Sequence, residues 1–254
     1  MTRKINAAFR VHNLLAAAAN KHPNQPTEQV WREVFEIKEP DGLRKSFEIS
    51  RCLNQLYNEM EIVERQMNET GFSKSLYKPY LEKARNAIVP HGIAASWSSY
   101  INHLSPDTIL SIKFCSEIMN EEEKIVQTEV LDEVAALISD LERILAESEI
   151  PTELSALITN NIIKIKEALY SYNIIGSKAL TEVVKSAYGE VLENQEMFAA
   201  AKDTEPVKVL SKVWQKVKEI SDGAKTVENA LSAGVGIVDK GVRILGFLEK
   251  ILPP

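Results

Sequence analysis

The sequence predicts an all-α fold: an elongated multi-helix bundle with long antiparallel helical hairpins and a C-terminal amphipathic helix. Three observations carry this reading. Apolar residues recur at helical steps of three and four along almost the whole chain, the pattern of helices that bury one face. Glycine and proline number only ten each in 254 residues, while 44% of residues are hydrophobic, which supplies a core with few interruptions. The third observation is the stretch Glu121 to Tyr172, where Val126, Val130, Val134, Leu137, Leu141 and Ile144 form one stripe and Leu154, Ile158, Ile162, Ile165, Leu169 and Tyr172 form another.

Between those stripes, Pro151 lacks a backbone N–H and disfavours helical geometry at Ile150, yet suits the first turn of a new helix. The first helix is therefore expected over Glu121 to Ser148, about 40 Å at about 1.5 Å per residue. The run Glu121, Glu122, Glu123 is read as its solvated first turn, placed at the positive end of the helix dipole.

Taken in order, Ile5 to Asn20 reads as an alanine-rich helix with Phe9, Leu14 and Leu15 as its bulky residues, ended by His22, Pro23 and Pro26. Thr27 to Ile37 places Val30, Val34 and Ile37 on one face, with Trp31 and Phe35 widening it; Pro40, Asp41 and Gly42 then turn the chain. Ser46 to Asn68 alternates four and three through Ile49, Leu53, Leu56, Met60, Val63 and Met67, a heptad seam of the coiled-coil type that needs a partner helix from this chain or another. Ser73 opens a segment to about Ile88 that Pro79 breaks into shorter turns. After the break at Val89 to Gly92, Ser105, Pro106 and Asp107 have the order of an N-cap, first helical position and first turn. Asn173 to Gly176 interrupts the second long helix, and Ser177 opens the next, with Leu180, Val184, Ala187 and Val191 on one face. Asp203 to Pro206 precedes a helix over Val207 to Ile220, striped by Val209 or Leu210, Val213, Val217 and Ile220 and flanked by Lys208, Lys212, Lys216 and Lys218. Three regions are expected, residues 1–104, a central bundle at 105–222 and a C-terminal helix at 223–254; the alternative is one continuous domain, since composition does not change abruptly near Ser105.

A formal net charge of -6 offers little phosphate neutralisation, so nucleic acid is not the expected partner. Residues 121–200 carry 6 basic and 16 acidic groups, whereas residues 201–254 carry 9 basic and 7 acidic. Cys52 and Cys115 have no Cys-x-x-Cys or Cys/His spacing and read as buried thiols of a reducing compartment. Arg10, His12 and Asn13 interrupt the apolar run that a signal peptide needs, and no stretch of about twenty apolar residues predicts a transmembrane helix. The expected address is cytoplasmic.

No motif nominates a catalytic residue, a metal site or a cofactor. His12, His22, His91 and His103 are scattered, without His-Glu-x-x-His spacing. The glutamates lack the Glu-x-x-His partners of a di-metal bundle site. Gly234-Val-Gly-Ile-Val-Asp239 lacks the third glycine of a dinucleotide fingerprint.

The C-terminus is the unusual segment. Val227, Leu231, Val235, Val238, Val242, Leu245, Leu248 and Leu252 form a broad helical stripe extended by Phe247 and Ile251, yet Gly234, Gly236, Gly241 and Gly246 interrupt it. An interior glycine costs about 1 kcal/mol relative to alanine. Three readings compete: a core-packing or swapped helix, a helix for self-association or partner docking, and a helix lying in a membrane interface beside Lys240, Arg243 and Lys250. Val235, Val238, Val242, Leu245, Phe247, Leu248 and Leu252 are the candidate interaction residues. The function expected is that of a non-enzymatic cytoplasmic interaction or adaptor protein that binds itself or a protein partner through helical faces. The first alternative is a soluble protein that becomes membrane-associated or pore-forming through this segment. The second is an enzyme whose site assembles from distant helices.

Overall fold

The computed structural model describes residues 5–37, 42–124 and 126–224. These residues form ten α-helices and four short 3-10 turns, with no β-strand among them, so the fold is all-α. None of the described helices is long and apolar enough to cross a membrane. The described residues divide into two compact units, one within residues 1–123 and 170–176, the other within residues 124–169 and 177–254.

The first unit is built around α1 (Ala7–Ala19) and α3 (Leu43–Glu69). Asn6 caps α1 by accepting a hydrogen bond from the Phe9 N–H, and its Nδ2 donates to the Ser116 and Met119 carbonyls at 3.0 and 3.3 Å. Those carbonyls belong to the end of α5 (Pro106–Ile118). Helices α1 and α5 approach closely because their facing residues are small: Ala7, Ala8 and Ala18 on one, Thr108, Ser111, Cys115 and Ser116 on the other. Ser105 stands at the N-cap of α5 as expected, but its hydroxyl meets Thr108 Oγ1 at 3.0 Å rather than a backbone N–H. Ser105, where the sequence suggested a boundary, thus begins a helix that packs on α1 within the first unit.

All six seam residues of α3, Ile49 through Met67, are buried by this chain's own core. The seam finds its partners in α1, α2 (Thr27–Val34), α4 (Lys78–Arg85) and α5, and so presents no surface for a coiled coil with another chain. Pro79 lies in the first turn of α4, preceded by a separate 3-10 turn at Lys74–Leu76, which is how the chain resolves the proline break. Trp31 of α2 stacks on Phe35 and meets Trp97 edge-on, with centroids 5.3 and 5.6 Å apart.

In the second unit, α6 (Thr128–Ala146) packs against α10 (Glu205–Ala224), which also packs along α8 (Ser177–Glu193). Val213 and Val217 of α10 are fully buried, and Lys216 pairs with Glu133 of α6 at 2.6 Å. Between α8 and α10 the short helix α9 (Gln195–Ala200), which the periodicity did not separate from its neighbour, buries Phe198. The long helix α7 (Thr152–Ile175) contributes residues 152–169 to this unit. Its Lys166 reaches Glu142 of α6 at 2.7 Å, and Asn161 donates to Glu190 of α8 at 2.8 Å.

The helix expected from Glu121 begins instead at Thr128, which corrects the reading of the acidic run. Glu122 and Glu123 are extended, their backbone N–H groups directed at the Ile5 carbonyl, and Glu123 is buried. They are committed to the core of the first unit, so no solvated first turn forms there. The stripe of α6 also shifts: Val134, Ile138 and Leu141 are its buried residues, and Leu137 lies at the margin. Helix α7 runs through Asn173 and ends at Gly176, whose φ of +68° is the left-handed conformation that glycine adopts without strain.

Candidate functional site

The seven predicted interaction residues, Val235, Val238, Val242, Leu245, Phe247, Leu248 and Leu252, lie outside the described residues. The histidines gather no catalytic set. His22 and His91 are exposed on turns, and His12 meets its neighbour Asn13 at 3.2 Å. Among the described residues no three His, Cys, Asp or Glu side chains are grouped to hold a metal. Cys52 and Cys115 are free and buried, and burial pushes both thiols up to about 12, which leaves them protonated and poorly nucleophilic at neutral pH.

The most concentrated chemistry in the first unit is ionic. Arg10 extends from the buried face of α1 and reaches Glu59 of α3 at 2.6 Å, Glu123 at 2.7 Å and Glu122 at 3.0 Å. Its Nε also donates to the Ile174 carbonyl at 3.2 Å. Arg10 and Glu59 are 6% and 2% exposed, so this hub works where water does not screen it. Burial opposes the Arg10 charge, but attraction by Glu59, Glu123 and Glu122 outweighs it and holds the guanidinium protonated more firmly than in water. A guanidinium presents five donors in a fixed fork, which is why arginine can join four separate backbone segments here. Its donors are directed at the protein's own acceptors, and it positions α1, α3 and the 122–123 and 174 segments.

An open groove in the first unit likewise carries its own paired charges. A groove of about 700 Å³ beside α2 is lined by Glu28, Arg32, Glu33 and Lys45. Within it Lys45 pairs with Glu28 at 3.4 Å, and Glu33 is bound to Lys21 at 2.6 Å.

Two helical faces expose large apolar side chains in pairs. On α3 these are Leu43 and Phe47; on α5 they are Leu110 and Phe114, each about half exposed. Both pairs have the i, i+4 spacing that puts side chains next to each other on a helix. The α5 face is further widened by Leu76, also exposed, whose carbonyl accepts a 2.6 Å hydrogen bond from Ser111. Isolated exposed leucines are ordinary, whereas neighbouring ones on a rigid helix form a surface that association removes from water.

No family model, curated protein or solved structure matches this chain. The hub escaped sequence reasoning, although Arg10 is a lone charge on the face shared by Ala7, Val11 and Leu14 and thereby signalled a buried partner. The α5 pair gave no such signal, because Leu110 and Phe114 continue the apolar pattern of their helix and only packing separates inner from outer residues.

Proposed function

We propose that this chain is a non-enzymatic interaction protein that binds itself or a protein partner through exposed helical faces. The observation that supports this reading is the α5 surface: Leu110 and Phe114 stand outward on a helix fixed along its other side by α1. A pre-ordered helix face loses little conformational entropy on docking, so a modest apolar area yields useful affinity. The two buried thiols are consistent with a reducing, cytoplasmic setting.

The test compares the full chain with a Leu110→Glu/Phe114→Glu variant. Sedimentation velocity reads self-association, and affinity capture from the source cell reads partners. The expected result is an assembly or a saturable partner complex formed by the natural sequence and lost in the variant, with the helical circular dichroism unchanged. Equal behaviour of the two proteins in both assays contradicts the reading.

A second reading is favoured by the C-terminal stripe of the sequence, where Leu245, Phe247 and Leu248 lie among Lys240, Arg243 and Lys250. It is peripheral attachment to an anionic membrane. It predicts that the full chain floats with phosphatidylserine-containing vesicles and that Leu245→Asp/Leu248→Asp abolishes flotation. Equal flotation of both proteins contradicts it.

A further inference from the structure

We draw no further inference here: the strongest candidate, the exposed apolar patch that Leu110 and Phe114 form on the outer face of α5, belongs to the surface already described, and nothing in the structure shows what covers it.

Discussion

Arg10 shows how one side chain can fix several segments of a small core. Removing it as Arg10→Met leaves Glu59 and Glu123 buried without their guanidinium, and the expected cost is about 3–5 kcal/mol, read from urea unfolding. Arg10→Lys keeps the charge but loses the fork that serves Glu59, Glu123 and the Ile174 carbonyl together, so it is expected to recover only part of that loss. An unchanged urea midpoint in Arg10→Met contradicts this role. Glu64 offers a pH-dependent counterpart. The hydrogen bond from Arg85 at 2.6 Å, opposed by burial and helped by the Arg85 and Lys78 charges, holds the Glu64 carboxyl below the usual carboxylate range. Its contribution to stability is fully present above the unfolded value of about 4.3 and is lost as pH falls through the lower folded value. Glu64→Gln is therefore expected to destabilise the protein at pH 7 and to flatten its acid sensitivity, measured as urea midpoints from pH 7 down to pH 3. Equal slopes for the two proteins contradict the assignment. The placement of Arg10 on an apolar face signalled a buried partner, but the partners of Arg10 and Glu64 were not legible in the sequence, because their contacts join positions up to 164 residues apart and no local spacing encodes them.

Helices were legible where their periodicity was long, and their ends were legible where a proline or glycine imposed them. Thus α3 buries every seam residue that alternates from Ile49 to Met67, and Pro79 and Pro106 fall in the first turn of a helix and Pro151 just before one. Leu56→Ala in this seam is expected to cost about 2–5 kcal/mol without altering the oligomeric state, since the cavity opens inside the chain. A change of assembly in that variant places the seam between chains instead. The start of α6 was misread for a physical reason: helix propensity and dipole favour a glutamate run at a helix start, but Ile5 and Arg10 claim Glu122 and Glu123 for the core. Gly176 ends α7 beside that same core. A Cβ there would overlap the Glu123 carboxylate, and the positive φ adds strain, so Gly176→Ala is expected to destabilise by more than the roughly 1 kcal/mol of an ordinary glycine replacement. Thermal unfolding reads this, and an unchanged midpoint contradicts it.

For the molecule as a whole, composition and periodicity were enough to predict an all-α chain, but not how it divides. Residues 170–176 belong with residues 1–123, a discontinuity that no shift in composition marks. Nor did the sequence distinguish faces that pack from faces that remain available. Packing closes the α3 seam and leaves Leu110 and Phe114 of α5 outside. Cross-linking at Leu110 addresses that surface most directly. Where two copies meet through this face, helix axes about 8–10 Å apart bring positions on it within disulfide reach. The natural thiols, Cys52 and Cys115, are buried and do not compete. Under mild oxidation Leu110→Cys is predicted to give a covalent dimer much faster than Phe47→Cys, the more exposed control on α3. Equal rates, or a faster reaction at Phe47→Cys, would contradict association through α5.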